Sequence, residues 1–471
     1  MSACEDTQTL IENRTLDEMS VGDTAEMVRV LAMADIELFA VMSGDMNPAH
    51  LDAAYADQTQ FHHVIAHGMW GGALISAVLG TRLPGPGTIY TAQSLRFHRP
   101  VAIGDTITVR VTVAQIDRDS GRVTLDCQCR NQHDKVVIEG QAEVLAPRIK
   151  VRRAATALPM VRMHNPGARF RALVDRARAL PPLPTAVVHP CDALSLLGAL
   201  EAEAAGLIDP FWVGPRAKVL SKAAEIGVSL DPAKIIDAPH SHGSAVAAVA
   251  LVRAGRAHAL MKGKLHTDEL LEAVLDRVLG LRTERRLSHV FALDVPHHDR
   301  MLFISDGAIN IAPDLSTLTD IVQNAIDMAR ALGIDVPRVA LLSAVETVTG
   351  KLPSTLLAAA ICKMHDRGQI TGGLVDGPLA FDNAISPEAV AAKGIVSNVA
   401  GRADILVAPN LESANMIAKQ LIHLARAEAA GVALGARAPI MLTSRSDSPA
   451  ARLASAALAR LLAAAAPVEA V

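Results

Sequence analysis

The segment Trp70-Gly-Gly-Ala-Leu-Ile-Ser-Ala-Val-Leu-Gly-Thr-Arg-Leu83 decides the fold of the first third of this 471-residue chain. It contains a single charged residue, Arg82, and is otherwise apolar or small. A helix that is apolar on all sides must be buried. We therefore predict a buried helix at this position, wrapped by a curved sheet.

Four segments that follow this helix are typical of β-strands, because apolar and polar residues alternate in them or β-branched residues dominate. They cover residues 89–98, 106–113, 122–130 and 135–144, and short turns separate them. One buried helix followed by four antiparallel strands is the element order of the hot-dog fold. The order of elements therefore predicts an α+β hot-dog domain.

The segment before the helix reads FAVMSGDMNPAHLDAAYA over residues 39–56 and places a carboxylate and an imidazole on either side of a turn. Asp45 and His50 are five residues apart, and Asn47-Pro48 favours the turn between them. Two groups that transfer protons make this turn a candidate acid–base site. The alternative is that Asp45 and Asn47 cap a helix that begins near His50, whose side chain then lies at the surface.

The same segment resembles the signature of the MaoC-like (R)-specific enoyl-CoA hydratases, which are hot-dog proteins. The matching positions are Phe39, Ser43-Gly44-Asp45, Asn47-Pro48, His50 and Ala56, whereas Met42 and Ala49 replace other aliphatic residues of the family. The resemblance implies that the domain hydrates short trans-2-enoyl-CoA, such as crotonyl-CoA, to the (R)-3-hydroxyacyl-CoA.

The resemblance also implies roles for single residues. Asp45 and His50 would activate the water and return the proton, and Asn47 would orient the turn. Gly68 matches the family's oxyanion position, where a backbone N–H at the start of the buried helix holds the thioester oxygen. Ser76 matches a family serine that hydrogen-bonds the catalytic aspartate, although by position alone it is a plain residue of a buried helix.

The composition predicts a chain of two or three domains. Half of the residues are hydrophobic but only 3% are aromatic, which favours α/β architecture. The formal net charge of −4 gives no electrostatic reason to expect nucleic acid or an anionic membrane as a partner. We find neither a signal peptide nor a membrane span. Five scattered cysteines predict free thiols and a cytoplasmic location.

The segment 146–165 carries five basic residues and no acid, and Pro147 and Pro159 disfavour a continuous helix through it. We interpret residues 147–165 as a basic linker. It would join a hot-dog domain at 1–146 to a second domain at 166–471. The alternative is that its charge attracts a phosphate group of acyl-CoA.

Beyond the linker, short β-branched or aliphatic segments alternate with helical ones, which predicts a two-lobed, three-layer α/β domain with a mainly parallel sheet. Such sheets bind ligands at the carboxyl ends of their strands. Polar, glycine-containing segments stand at these ends, at residues 262–264, 305–310, 343–347, 376–382, 409–410 and 443–448. None is a Walker loop or a Gly-x-Gly-x-x-Gly, so neither ATP nor a dinucleotide is indicated. Each alone could be an ordinary strand-to-helix turn.

Together and in this order, these segments resemble the phosphate acetyltransferase and phosphate butyryltransferase family from about residue 165 to the C-terminus. The resemblance implies two α/β lobes around a cleft and reversible transfer of an acyl group between CoA and phosphate. It places Ser444 and Arg445 in the active site, with Asp447 as a candidate base for the CoA thiol. Arg445 suits phosphate because a guanidinium binds it in a fork, and Ser444 can donate to the tetrahedral oxyanion.

Further candidates for substrate binding lie at the other strand ends. Lys262 and Lys264 would bind phosphate or CoA, with a solvated pair as the alternative. The resemblance adds Asp306, Asp376 and Asn415 to this set.

We therefore predict a bifunctional enzyme that uses CoA thioesters and phosphate as substrates, without a permanently bound cofactor. Because hot-dog domains usually dimerise edge to edge, we expect a homo-oligomer. Two alternatives remain: a non-catalytic acyl-CoA-binding or assembly module as the second domain, or a hot-dog thioesterase as the first. The histidines at 62, 63, 67, 297 and 298 lack the His-Glu-x-x-His spacing or a cysteine partner, so we expect no metal site.

Overall fold

The computed structural model describes residues 10–156, 158–159, 161, 167–442 and 448–465. The chain forms two compact units, Met1–Met163 and His164–Val471. The division falls inside the segment predicted as a linker.

The first unit consists of one central helix and an antiparallel sheet. Its helices are α1 (Met33–Ser43), α2 (Pro48–Leu51), α3 (Ala53–Asp57) and α4 (Gly68–Thr81). Its strands are β1 (Leu10–Glu12), β2 (Thr24–Val30), β3 (Ile89–Phe97), β4 (Thr106–Asp117), β5 (Arg122–Arg130), β6 (Val136–Leu145) and β7 (Arg152–Ala154). The main sheet has the order β2-β4-β5-β6-β3, with every neighbouring pair antiparallel. The predicted hot-dog order of a helix followed by antiparallel strands is confirmed.

The core of this unit forms where α4 faces the sheet. Ile75, Val78 and Leu79 of α4 are fully buried in one cluster with Val109 and Val111 of β4. Alternate residues of β4 point into this core because successive side chains of a strand lie on opposite faces.

β2 is a strand that the sequence pattern did not predict. It lies at the edge of the sheet and pairs with β4. Most of its residues are exposed or half-buried, and Glu26 and Arg29 interrupt any apolar alternation. An edge strand that buries few side chains leaves only a weak pattern in the sequence.

The prediction that α4 is buried on all sides was wrong. Trp70 and Ile75 are buried, but Ala73 and Ser76 are exposed and Met69 is 55% exposed. The physical reason is that the sheet packs against only one side of the helix. An apolar face of α4 therefore remains uncovered.

Part of the segment predicted as a linker is a strand, since β7 pairs antiparallel with β1. The Lys150 ammonium lies 3.0 Å from a carboxylate oxygen of Glu12 and 2.9 Å from one of Glu18, and Arg152 lies 3.7 Å from Glu12. Lys150 and Arg152 therefore form ion pairs with Glu12 and Glu18 of the same unit.

The second unit has helices on both faces of a large sheet. Its strands are β8 (Leu183–Val188), β9 (Ile208–Gly214), β10 (Ile235–Asp237), β11 (Ala259–Lys262), β12 (Ser288–Asp294), β13 (Leu302–Ser305), β14 (Arg338–Leu342), β15 (Leu374–Leu379), β16 (Ile405–Val407), β17 (Glu428–Leu434) and β18 (Ile440–Met441). Its helices are α5 (Ala168–Arg178), α6 (Ala193–Ala204), α7 (Arg216–Glu225), α8 (Ser241–Arg253), α9 (Thr267–Val274), α10 (Leu315–Ala331), α11 (Pro353–Asp366), α12 (Phe381–Ile385), α13 (Pro387–Lys393), α14 (Leu411–His423) and α15 (Pro449–Ala465).

The sheet of this unit contains two groups of parallel strands. Its order over the described ranges is β10-β9-β8-β11-β18-β17-β12-β13-β16-β14-β15. The first five strands are parallel to one another, and so are the last four. β17 and β12, which lie between the groups, make the antiparallel pairings. The predicted α/β class with a mainly parallel sheet is confirmed.

The layers on the two faces are visible in β8. Val187 belongs to a core cluster with Leu196 of α6, whereas Ala186 and Val188 belong to another with Ala245 of α8. Such a strand is apolar on both sides, which is typical of a parallel sheet covered by helices.

Over the described residues, no helix is both long and apolar enough to cross a bilayer. Cys127, Cys129, Cys191 and Cys362 are free thiols. Burial raises the pKa of Cys129 to about 12.

Candidate active sites

The turn that carries Asp45 is held by a chain of local hydrogen bonds. α1 ends at Gly44, whose φ of 76° lies in the left-handed region that favours glycine. The Ser43 hydroxyl accepts from the Asp45 amide at 3.2 Å, and Oδ1 of Asp45 accepts from the Asn47 amide at 3.1 Å. Asn47 in turn caps α2 by accepting from the Ala49 amide at 3.1 Å. The predicted capping is therefore present, and it leaves the Asp45 carboxylate exposed.

His50 is half-buried on α2 with its ring orientation fixed. Its Nδ1 lies 2.8 Å from the carbonyl oxygen of Ile65. A carbonyl can only accept, so Nδ1 carries the proton and the neutral ring has its lone pair on Nε2. His50 can therefore act as an acid–base group through Nε2.

The structure brings Asp45 and His50 together, and it adds His67 to them. One ligand atom from each of the three side chains lies within 4.8 Å of the others. The His67 ring centroid is 4.0 Å from that of His50 and 5.0 Å from that of Phe39. Its Nε2 lies 3.1 Å from the carbonyl oxygen of Asp45.

His67 is a site residue that the sequence pattern did not assign. It is 3% exposed, and its Nδ1 has no hydrogen-bond partner among the residues that the structure describes. The sequence signal that would have indicated it is its position directly before Gly68, at the N-cap of α4.

Gly68 is the first residue of α4, where backbone amides have no intrahelical partner and the helix dipole favours negative charge. A Cβ at Gly68 would lie 3.0 Å from Cε1 of Phe97, so glycine keeps the space in front of this amide open. Ser76 lies further along α4 and is exposed. Among the described residues no hydrogen bond joins Ser76 to Asp45, so the contact expected from the resemblance is not present between these two residues of the chain.

In the second unit, Lys262 and Lys264 lie at the carboxyl end of β11. The amide of Gly263 donates to the carbonyl of Val188 at 2.9 Å, and the amide of Lys264 donates to that of His189 at 3.0 Å. A Cβ at Gly263 would lie 2.4 Å from the Val188 oxygen, so this close approach of two strand ends requires glycine.

This strand end is positively charged. Burial lowers the pKa of His189, and repulsion by Lys218, Lys264 and His240 lowers it further against the opposing attraction of Glu269. Such a field favours an anionic ligand.

Asp306 follows β13 and holds its own loop. Its Oδ1 accepts from the amides of His289, Ala308 and Ile309 at 3.2, 3.0 and 3.1 Å. Its Oδ2 accepts from the amide and side chain of Asn310 at 3.0 and 2.6 Å. Asn415 on α14 joins this loop through a bond to the Gly307 carbonyl at 3.1 Å. Asp306 and Asn415 are therefore brought together, in an arrangement that shapes the loop.

His289 on β12 is a buried group that the sequence pattern did not assign. Its Nδ1 has no hydrogen-bond partner in the described part of the chain. A Cβ at Gly431 would lie 2.7 Å from its Nε2, so the ring fills the space beside that glycine. Burial lowers the pKa of His289 to about 4, because a cation there loses its hydration.

Asp376 lies on β15, three strands from β13 in the sheet. Its Oδ1 accepts from the amide of Gly377 at 2.8 Å, and its Oδ2 accepts from the hydroxyl of Ser397. Asp376 and Asp306 share no hydrogen bond in the described part of the chain, so each carboxylate stabilises a different loop.

Ser444, Arg445 and Asp447, the predicted active-site residues of the second unit, lie outside the described residues. The strand that precedes them in sequence is β18, and it is parallel to β11, with Met261 opposite Met441. The carboxyl end of β11, which carries Lys262, therefore lies beside the carboxyl end of β18.

Comparisons with known proteins match each unit to a different group. The phosphate acetyl/butyryl transferase family matches residues 238–460, and the MaoC-like domain matches residues 16–136. A phosphate acetyltransferase from Rhizobium meliloti is 59% identical over 297 residues, which cover 63% of this chain and 94% of that protein.

Two solved structures are also similar. A branched-chain phosphotransacylase from Enterococcus faecalis is 32% identical, with a TM-score of 0.52, and the match covers 59% of this chain and 99% of that one. The R-hydratase PhaJ1 from Pseudomonas aeruginosa is 46% identical, with a TM-score of 0.32, over 33% of this chain and all of that one. The chain belongs to the phosphate acetyl/butyryl transferase family and carries a MaoC-like domain before it.

Proposed function

We propose that the first unit hydrates short trans-2-enoyl-CoA to (R)-3-hydroxyacyl-CoA and that the second unit transfers an acyl group between CoA and phosphate. The observation that carries the first half is the meeting of Asp45 with His50, whose Nε2 lone pair is left free by the Ile65 carbonyl. The MaoC-like family match supports it. The second half is supported by the family match and by the identity to a phosphate acetyltransferase.

In the hydration, Nε2 of His50 and the Asp45 carboxylate act on one water molecule. As a proton leaves the water, its oxygen bonds to C3 and the C2–C3 π electrons move toward the thioester. The amide of Gly68 holds the thioester oxygen as it gains enolate charge. A proton then returns to C2, so that water is added across the double bond with no other reactant.

In the transfer, a phosphate oxygen attacks the thioester carbonyl and the C–S bond breaks. Arg445 would bind the phosphate, Ser444 would donate to the tetrahedral oxyanion, and the CoA thiolate leaves and takes a proton. Asp447 would accept the thiol proton in the reverse direction. Lys262 and Lys264 would attract the phosphate or CoA, in keeping with the positive strand end around His189.

The alternatives differ in what they release. Incubation with crotonyl-CoA should remove the enoyl absorbance without freeing thiol, whereas a thioesterase would free thiol. Phosphate-dependent release of CoA thiol from an acyl-CoA supports the transferase. Arg445→Ala should abolish that release and leave hydration unchanged. Absence of any phosphate-dependent release in the intact protein would favour a non-catalytic acyl-CoA-binding or assembly module.

We also infer that the protein is a homo-oligomer assembled through its first unit. The uncovered side of α4 and the edge strand β3 both carry exposed apolar side chains, with Met69, Ile89 and Phe97 between 52% and 59% exposed. An exposed apolar edge strand is a template for pairing with a second chain. Ile89→Lys should shift the mass measured by sedimentation toward the monomer, and an unchanged mass would contradict this interface. The charge and cysteine usage favour the cytoplasm as its location.

A further inference from the structure

The cluster of Asp45, His50 and His67 has a second chemical property besides proton transfer. These residues come from the turn after α1, from α2 and from the N-cap of α4, so spacing along the chain does not reveal the cluster. In the described ranges, it is the one group of three or more acidic, histidine or cysteine side chains whose ligand atoms lie within 4.8 Å of one another. Two imidazoles and a carboxylate form a donor set for a transition metal.

Both imidazoles have one nitrogen fixed by a backbone carbonyl. Nδ1 of His50 donates to Ile65, and Nε2 of His67 faces the Asp45 carbonyl at 3.1 Å. The lone pairs are therefore on Nε2 of His50 and on Nδ1 of His67. Histidines that ligate metals usually have their other N–H held in this way by a carbonyl or a carboxylate.

The buried Nδ1 of His67 is the atom that proton transfer does not use. It has no hydrogen-bond partner within the described residues although the side chain is only 3% exposed. Leaving a buried polar atom unpaired costs about 1–3 kcal/mol. A metal ion would give this lone pair a partner.

We propose that Asp45, His50 and His67 form a binding site for Zn²⁺. Three protein ligands of the nitrogen and carboxylate type with one open position are typical of zinc, whereas calcium and magnesium prefer oxygen ligands. Zinc–ligand bonds of about 2.0–2.2 Å bring ligand atoms closer together than 4.8 Å. Oδ1 of the exposed Asp45 carboxylate accepts from the Asn47 amide at 3.1 Å, and Oδ2 is the oxygen that would bind the ion.

Zinc bound in this way occupies the lone pair of His50 and the carboxylate of Asp45. Both groups are those that the proposed hydration needs for its water, so bound zinc stops hydration. Only this inhibition rests on the proposed function. Zinc binding itself stands independently of any activity of the protein.

The test is calorimetric titration of the metal-free, full-length protein with zinc chloride. We expect one ion per chain at this site and at least about tenfold weaker affinity in His67→Gln. Asp45→Asn should also weaken zinc binding. Because Asp45 is exposed, this variant is the test to use if His67→Gln does not fold. His63→Gln is the matched control, because His63 is an exposed histidine near this site and outside the cluster. Its affinity should equal that of the wild type.

Zinc affinity that is unchanged in both His67→Gln and Asp45→Asn would overturn the site. Crotonyl-CoA hydration should fall as zinc saturates the protein and should recover on addition of EDTA. Full hydration activity at saturating zinc would overturn the inhibition. A protein that binds zinc as expected but hydrates no enoyl-CoA without zinc would instead refute the hydratase proposal and leave the metal site standing.

Discussion

Replacing Asp45 by Asn is a stringent test of the hydratase, because the two side chains have the same shape and differ in charge. Oδ1 of Asp45 accepts from the amide of Asn47 at 3.1 Å, and the side-chain oxygen of an asparagine can accept the same bond. The carboxylate is exposed, so the substitution leaves no buried charge without a partner. We therefore expect the free energy of unfolding to change by no more than about 0.5 kcal/mol.

The expected effect on catalysis is far larger. A positioned acid–base group contributes about 10²–10⁴-fold to a rate. This factor corresponds to roughly 3–5.5 kcal/mol of activation free energy. In Asp45→Asn, kcat for crotonyl-CoA should fall by this factor while KM changes much less, as measured by the loss of enoyl absorbance.

Asp52→Asn is the matched control for this experiment. Asp52 is also exposed, and its Oδ1 accepts from the amides of Ala54 and Tyr55 at 2.9 and 3.1 Å. Its replacement should leave hydration near the wild-type rate. Acyl transfer by the same polypeptide is a second control and should be unchanged in both variants. A kcat of Asp45→Asn within about tenfold of the wild type would refute the assigned role. So would an equal loss in Asp52→Asn.

Three further substitutions test other parts of the molecule. In Gly263→Ala the new Cβ would lie 2.4 Å from the Val188 oxygen. Thermal unfolding should therefore show a free energy of unfolding lower by about 1–3 kcal/mol. Acyl transfer should fall and hydration should be unchanged. In Gly68→Ala the new Cβ would lie 3.0 Å from the Phe97 ring, which must shift beside the Gly68 amide proposed to hold the thioester oxygen. Hydration assays should therefore show a kcat reduced by at least about tenfold, and acyl transfer should be retained. Burial lowers the pKa of His289 from 6.5 to about 4, so only the unfolded chain takes up this proton as the pH falls through that window. Between pH 7 and pH 4 the free energy of unfolding, measured in urea, should therefore fall by about 3 kcal/mol less in His289→Gln than in the wild type.

The acid–base pair was predictable because Asp45 and His50 belong to one local turn, whose chemistry the sequence displays directly. His67 was not predictable from spacing, since only the tertiary fold brings the N-cap of α4 to within ring contact of His50. The exposed face of α4 was missed for a related reason. The hydrophobic residues of a helix do not indicate how much of its surface the sheet of the same chain covers.

In the second unit, the alternation of strands and helices predicted the architecture, whereas the ligand site at the polar strand ends stays a prediction. The sequence could not show how each side chain at those ends is used. The predicted substrate-binding role of Asp306 stays a prediction, and the structure adds that its oxygens accept from the amide of His289 on β12 and from amides of its own loop. Which donors a carboxylate accepts from depends on the loop conformation, and a short motif does not specify that conformation.

The carboxylate that organises the loop after β13 has a consequence for hydrogen exchange. Loop amides commonly exchange with solvent through small local openings. The amides of Ala308, Ile309 and Asn310 share one buried acceptor, so releasing any of them leaves a charged oxygen with fewer donors. Their deuterium uptake should therefore be slow and concerted, at a rate set by opening of the surrounding core.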